Sequence, residues 1–344
     1  MIKVAVAILN WNGKGLLERF LPIVIKNSNC PGAEVVVIDN NSDDESVDYI
    51  AHQFPSVKII ELDKNYGFAG GYNEGLKQIE AEYFLLLNSD VAPEANWLNP
   101  LMEQIEQDTN IGACMPKVRA YNEPSHFEYA GASGGYIDYL GYPFCRGRIL
   151  NHIEEDKGQY DEPISIFWAT GAALLIRSNL YKITGGLDES FFAHMEEIDL
   201  CWRIKNLGYT IMAVPQSEVL HVGGATLSQQ NSHKTYLNFR NNLVMMVKNL
   251  PQKQLLSVLF IRMVLDGVAG LHFIFRGEVK HFVAVLKAHF SFYSRLGDVL
   301  LKRKKLTAYR KIGHHQEVYP QSIIWAFYFK KLRKFSELKH FHLD

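Results

Sequence analysis

KVAVAILNWNG, residues 3–13, decides the fold: an apolar, β-branched run that ends in Asn10, Asn12 and Gly13 reads as a strand buried on both faces and stopped by turn formers. Working outward, the pattern repeats. Val35 to Ile38 reads as a second strand ending at Asp39, residues 57–62 as a third and 83–87 as a fourth. Leu16 to Ile25 carries apolar residues at helical spacing, with Pro22 weakening the helix or moving its boundary, and a further helix fits Ala69 to Ile79. Strand and helix alternating at this spacing predict an α/β fold with a mostly parallel central sheet and helices on both faces. Ligands in such sheets lie beyond the carboxyl ends of the strands. Here those ends are Asn10 to Gly13, Asp39 to Asp44, Asn65 to Gly71 and Asn88 to Asp90, four polar and glycine-rich loops that can converge on one site.

Past Trp97 the pattern becomes mixed. Residues 99–108 read as a helix, 111–118 as a strand, 172–176 as another, and Glu196 to Leu207 as a helix stopped by Gly208; a strand at 210–214 leads through Pro215 to His221. The long polar and aromatic stretch 120–163 is expected to hold short strands and a loop that covers a ligand. Residues 235–300 are helical and strongly apolar. The expected division is a catalytic domain over 1–245 and a helical, basic, amphipathic region over 246–344.

The net charge of -1 hides an asymmetry, since Arg262 to Asp344 contains 16 Lys and Arg against 6 Asp and Glu. A basic end beside an acidic body points to an anionic membrane surface. Arg262, Asp266 and Arg276 interrupt the apolar run, so amphipathic helices lying on the membrane are expected rather than a span. A homodimer interface formed by the same helices fits almost as well. Cys30, Cys114, Cys145 and Cys201 form no disulfide-like pattern, and the opening residues read as a strand rather than a signal peptide. The expected location is therefore cytoplasmic, peripheral at the inner face of the membrane, with no nucleic-acid partner.

LLLNSDV, residues 85–91, is the most informative motif, because a buried strand ending in Asn88-Ser89-Asp90 puts a carboxylate at the site edge, where it can hold a divalent cation against phosphates. Asp39, in VVVIDNNSDD, can accept from the base or ribose of a nucleotide, while Ser42 and Glu45 have the spacing of a capping box. In KNYGFAGGYNEG, residues 64–75, Gly67, Gly70 and Gly71 permit close approach of the chain to a ligand. Glu196, Glu197 and Asp199 crowd the start of one helix. Glu197 falls in line with Leu200, Cys201 and Ile204, whereas Asp199 has Arg203 one turn away and reads equally as a structural pair. His221, before two glycines, can complete a metal shell with Asp90. No dinucleotide fingerprint, P-loop, nucleophile elbow or zincin motif is present.

Together AILNWNG (7–13), VVVIDNNSDD (35–44), NYGFAGGYNEG (65–75), LLLNSDV, ATGAALLIR (169–177), GGLDESFFAHMEEIDLCWR (185–203) and HVGGAT (221–226) resemble family 2 glycosyltransferases of the GT-A fold, in particular bacterial rhamnosyltransferase-like members. The resemblance covers about residues 2–245. It implies an inverting transfer of sugar from a nucleoside-diphosphate donor, a dTDP- or UDP-sugar, to a hydroxyl of a glycan or lipid-linked acceptor in bacterial surface polysaccharide assembly. It implies a donor site of Asn10, Asp39, Asn65, Gly67, Asn88 and Asp90, and a Mg²⁺ or Mn²⁺ ion on Asp90 and His221. Trp168, Thr170, Gly171 and Asp199 are implied on the acceptor side, with Glu197 as base and Glu196 beside it. Asn88 departs from the first Asp of the family's D-x-D motif, and Glu197 stands where an Asp is usual. A nucleotidyltransferase would share the sheet and metal but needs a basic glycine-rich loop after the first strand, and Lys14 alone does not make one. A non-catalytic scaffold would be favoured by loss of Asp90 or Glu197, and both are present.

Overall fold

The computed structural model describes residues 2–223 and 231–338. In chain order its elements begin β1 (Ile2–Asn10), α1 (Lys14–Asn27), β2 (Ala33–Asp39), α2 (Ser46–Gln53), β3 (Lys58–Glu61), α3 (Gly67–Leu76), β4 (Ala81–Leu87), β5 (Val91–Pro93), α4 (Leu98–Gln107) and β6 (Ile111–Ala120). A run of short strands follows: β7 (Glu123–Phe127), β8 (Gly135–Asp138), β9 (Pro143–Cys145), β10 (Arg148–Ile149), β11 (His152–Ile153) and β12 (Ile164–Ile166). The chain continues through β13 (Ala173–Arg177), α5 (Ser178–Thr184), α6 (Glu196–Asn206), β14 (Thr210–His221), α7 (Ser232–Asn249), α8 (Gln252–Phe275), α9 (Val279–Ser294), α10 (Leu296–Tyr309), β15 (Val318–Tyr319) and α11 (Ile323–Tyr328).

The main sheet runs β12-β14-β6-β13-β4-β1-β2-β3. Its N-terminal half, β4-β1-β2-β3, is all parallel, and the remainder is mixed because β13 lies antiparallel between β4 and β6. Val4 to Ile8, Val36 to Ile38 and Phe84 to Leu87 are essentially inaccessible, as strands covered on both faces must be. Helix α1 runs straight through Pro22. Glu18 and Pro22 are both on the exposed side, so the carbonyl that Pro22 leaves without a donor meets water, while Leu17, Phe20, Leu21 and Val24 bury the other side.

Residues 120–163 hold the short strands expected from sequence: β7 joins β6 in the main sheet, and β8 to β11 form, with β15 from far along the chain, a packed second sheet, β11-β10-β9-β8-β15, in place of a covering loop. Its aromatics explain the difference: Tyr136, Phe144 and Tyr160 cluster on Phe335 from the far end of the chain. That last segment is sewn into the catalytic body. β15 pairs in parallel with β8, Glu317 pairs with Lys205 at 2.9 Å, and the Phe335 amide donates to Glu154 Oε1 at 3.0 Å. A boundary at residue 245 also falls inside α7, whose Leu243 to Val247 are core residues. The last hundred residues therefore share the core of the first part.

α8 presents two unlike sides. Over 24 residues it is long and apolar enough, by length and composition, to cross a membrane. Arg262 and Asp266 lie on its docked side: Arg262 pairs with Asp266 at 3.1 Å, donates to the Leu140 carbonyl and stacks 3.5 Å from the centre of the Tyr142 ring. Its other side is exposed and apolar, including Leu256, Phe260, Val264, Val268, Leu271 and Phe275.

Candidate active site

The parallel register brings Asn10 opposite Asp39 at the carboxyl edge of the sheet. Asn10 Nδ2 donates to Asp39 Oδ1 at 2.9 Å, Ser42 Oγ to the same oxygen at 2.6 Å, and the Ser42 amide to Oδ2 at 2.9 Å. A carboxylate has about four acceptor positions, so one on Oδ2 is left for a ligand. Ser42 thus serves Asp39. The capping box expected of Ser42 and Glu45 does not form, and Asp44 accepts from the Ser46 amide instead.

Next along the edge, Asn40 Nδ2 donates to Asn65 Oδ1 and to the Gly67 carbonyl, both at 3.0 Å, and the Gly67 amide donates to Asn65 Oδ1 at 2.8 Å. Gly67 opens α3 at a φ of +73°, which favours glycine. Gly71 has a different role from the one sequence suggested. A Cβ there would lie 2.7 Å from Leu9 Cδ1, so this glycine lets α3 pack on the sheet rather than admitting a ligand.

Asp90 follows β4, and the antiparallel pairing of β5 with β14 sets His221 opposite Val91, the residue after Asp90. His221 Nε2 lies 3.1 Å from Asp90 Oδ1, and its Nδ1 lies 3.5 Å from Glu128 Oε2. Burial pushes the Asp90 carboxyl up, but the His221 hydrogen bond and charge hold it below the usual range. Burial alone would depress His221; Asp90 and Glu128 carry it up to about 10. The carboxylate and imidazole fit a divalent cation, which Asp90 and His221 would hold, with the Glu128 carboxylate 3.5 Å from the other ring nitrogen. Among the described residues no group of three His, Cys, Asp or Glu is placed to hold a metal ion; a cation bound here would need further oxygen ligands, such as phosphate and water. Glu128 sits in the stretch that had no readable period, and its partner is 93 positions away. Gly224, Ala225 and Thr226, from the HVGGAT motif, lie outside the described residues.

At the head of α6 stand the two glutamates. Glu196 is 5% exposed, whereas Glu197 is half-buried, and each has an Oε2 with no hydrogen-bond partner among the described residues. Burial pushes both carboxyls up, Glu196 further because the Glu197 and Asp199 charges add to it, and Glu197 to about 7. Nearly all of α6 is buried, so its apolar stripe does not distinguish one residue from the next. Glu196 is turned into the interior. Glu197 is the more reachable: a Cβ on Gly171 would meet the Glu197 stem at 3.7 Å and Phe68 at 4.0 Å, so Gly171, just ahead of β13, borders both side chains. Asn88, whose amide donates to the Ala172 carbonyl, joins the same edge.

The turn before α6 is strained. Phe192, His194 and Met195 all have φ between 67° and 74°. Two residues that sequence reading missed hold it: Arg240 Nη2 donates to the Ser190 and Phe191 carbonyls, and Asn241 Nδ2 donates to those of Phe191, Ala193 and His194 at 2.8–3.0 Å. The adjacency of an Arg and an Asn on a buried helix face was their only sequence signal.

The acceptor-side set needs correction. Trp168 is 3% exposed, closed over by Gly135 and bonded through Nε1 to the Tyr136 carbonyl, so it offers no surface. Thr170 is buried and accepts from the Ala172 amide. Asp199 is fully enclosed, taking Arg203 at 2.8 Å, Lys248 at 2.7 Å and Asn249 at 2.7 Å, an ion network inside the protein. Of the four, Gly171 borders Glu197.

A mixed sheet whose parallel edge gathers Asn10, Asp39 and Asp90, extended by helices at its C-terminal side, defines a GT-A-like nucleotide-diphospho-sugar transferase fold. Residues 5–182 match the family model described as glycosyl transferase family 2, and the chain belongs to that family. It is therefore a nucleotide-sugar-dependent glycosyltransferase, an enzyme that transfers a sugar to an acceptor hydroxyl. It is similar to N-acetylglucosaminyl-diphospho-decaprenol L-rhamnosyltransferase of Mycobacterium tuberculosis, 25% identical over 224 residues that make up 60% of this chain and 71% of that one. It is also similar to a low-salt glycan biosynthesis hexosyltransferase of Haloferax volcanii, 26% identical over 62% of this chain and 66% of the relative. Among solved structures, GalNAc-T7 with UDP, GalNAc and Mn²⁺ superposes with a TM-score of 0.55 at 18% identity, covering 72% of this chain and 48% of that one. A mannosyltransferase of Pyrobaculum calidifontis with GDP-Man and Mn²⁺ superposes at 0.52 and 14% identity, covering 90% and 81%. These likenesses show a shared fold.

Proposed function

We propose that the protein transfers a sugar from a dTDP- or UDP-linked donor, rhamnose being the sugar in one relative's name, to a hydroxyl of a glycan or lipid-linked acceptor in surface polysaccharide assembly, with inversion at the anomeric carbon. The observation that carries this reading is Glu197, a half-buried carboxylate pushed up to about 7 and packed against Gly171. As the acceptor oxygen attacks the anomeric carbon, its proton passes to Glu197, and the bond to the diphosphate breaks with both electrons leaving on the phosphate oxygen. Asn10, Asp39, Asn65 and Gly67 hold the nucleoside end, and Asn88 and Asp90 stand at the diphosphate end. Asp90 and His221 would hold a Mg²⁺ or Mn²⁺ ion, which would supply positive charge toward the leaving group. Purified protein incubated with a panel of nucleotide sugars and a polyprenyl-linked sugar acceptor is expected to release free nucleoside diphosphate from one donor, and to do so only with a divalent cation. No release from any donor would overturn the reading.

The exposed side of α8 continues onto α9, where Val279, Val283, Leu286 and Phe290 are exposed, and the two helices pack through Gly270 and Phe282. An apolar face of this extent marks an interaction surface. Its basic surroundings, with Arg276, Lys280 and Lys287 exposed, suit the anionic inner face of a membrane, where a lipid-linked acceptor is found. Flotation with phosphatidylglycerol vesicles is expected to recover the protein and to lose most of it on Phe260→Glu combined with Val264→Glu. Unchanged flotation together with a halved mass in light scattering would assign the face to a homodimer instead.

A further inference from the structure

Behind the segment that leads to the two glutamates lies a cavity of about 360 Å³, lined by Gly185 to Ser190, Asn73 and Arg203 and by Lys248, Lys302, Lys305 and Leu306 from α7 and α10. Its charges do not balance. Asp188 takes Lys248 and Lys302, each at 2.6 Å, while Asp199 takes Lys248 at 2.7 Å and Arg203 at 2.8 Å. Three cations thus share two carboxylates. Although burial pushes Asp188 up, the two lysines hold it far below the usual carboxylate range, so it stays ionised and neutralises no third charge. Arg203 is 5% exposed and its Nη2 has no partner among the described residues, although Nε reaches Asp199 and Nη1 the Thr184 carbonyl. Lys305, at the mouth, adds a fourth cation with no partner among the described residues. The remaining acid of the lining, Glu189, is exposed and accepts from Asn73 Nδ2 at 3.1 Å. A positive charge left unpaired in a partly closed cavity is costly unless an anion completes it.

We propose that this cavity is a binding site for a phosphate-bearing anion, separate from the donor edge. The phosphate bridges Lys305 and Lys302 with Arg203 behind them, and the space left over admits a substituent against Leu187 and Leu306. Two sources share that chemistry, a soluble phosphate and the headgroup of an anionic lipid. The second is suggested by Leu300 and Leu301, exposed on α10 immediately before Lys302 and downstream of the apolar α8–α9 face. An occupant would act on Asp188 and Ser190, which Lys302 already touches and whose segment ends in the strained turn ahead of Glu196.

The test reads binding without turnover, so it stands whichever donor the enzyme uses. Calorimetric titration of the full-length protein with inorganic phosphate, against chloride at matched ionic strength, is compared among wild type, Lys305→Glu, Lys304→Glu and Asp90→Asn. Lys304 is an exposed neighbour of the same charge outside the cavity. The expected result is saturable binding weakened at least about tenfold by Lys305→Glu and changed little by Lys304→Glu or Asp90→Asn. If phosphate does not bind but flotation with phosphatidylglycerol vesicles falls tenfold for Lys305→Glu and not for Lys304→Glu, the site is a headgroup site. Equal losses for Lys304→Glu and Lys305→Glu in both assays, or no phosphate and no Lys305-dependent vesicle binding, overturn the proposal. So does phosphate binding made severalfold tighter by Asp90→Asn, which would put the anion at the donor edge, where that carboxylate repels it.

Discussion

Asp90→Asn is expected to lower turnover by about 10²–10³, the loss seen when a group opposing developing negative charge is removed from an enclosed site. The amide keeps the shape and the hydrogen bond toward His221 but removes the charge that would hold a cation against the leaving diphosphate. His221→Ala is expected to cost less, since Asp90 and the diphosphate remain as ligands, and to raise the concentration of Mn²⁺ needed for half-maximal rate. A second readout needs no substrate. In metal-free protein the His221 ring is held at about 10 by Asp90 and Glu128, and Asp90→Asn is expected to bring its NMR titration down toward the ordinary value near 6.5. The folded value lies above the unfolded one, so the pair's contribution to stability is full below pH 6.5 and fades as pH rises toward 10. The metal-free Asp90→Asn protein is accordingly less stable than wild type at pH 6, with the gap closing by pH 10. Near-normal turnover in Asp90→Asn would remove the metal assignment.

The parallel half of the sheet was legible because buried parallel strands are short apolar runs that end in turn formers, and each of β1, β2 and β4 ends close to a residue of the site edge: Asn10, Asp39 and Asp90. What stayed hidden depends on partners far away in the chain. Glu128 reaches His221 because β6 pairs with both β7 and β14, and no local period reports that. The burial of Trp168 under Gly135 and the second sheet built around Phe335 are likewise contacts between segments with no common spacing. α6 misled in another way. Helical periodicity separates an inner from an outer face only when one face meets water, and this helix is enclosed by α5, α7 and β14. The charges in α8 were read as interruptions of an apolar run. They are inward-facing contacts to Leu140 and Tyr142 that leave the outer face apolar.

Glu197→Gln is expected to lower turnover by about 10²–10⁴ with little change in donor affinity, the range typical for loss of a general base. The choice between neighbours rests on access. Glu196 is 5% exposed and Asp199 is locked by Arg203, Lys248 and Asn249, whereas Glu197 is half-buried beside Gly171. Burial raises Glu197 to about 7, so the rate at saturating substrates is expected to rise with pH through neutrality as the carboxyl loses its proton, and Glu197→Gln is expected to lose that limb. Stability should move the opposite way. Because the folded value lies above the unfolded value of 4.5, stability is greatest below pH 4.5 and is lost as pH rises toward about 7. Glu197→Gln removes that loss, and its melting temperature is expected to fall less between pH 5 and pH 8 than that of wild type. The two readouts separate a base from a packing residue: a structural carboxyl would shift melting without removing the rate limb. Glu197→Asp is expected to retain partial activity, its shorter reach being offset by the open side of the site at Gly171. If Glu196→Gln is the inactive variant while Glu197→Gln turns over normally, the proton goes to Glu196 and the site opens deeper behind α6 than the packing at Gly171 indicates.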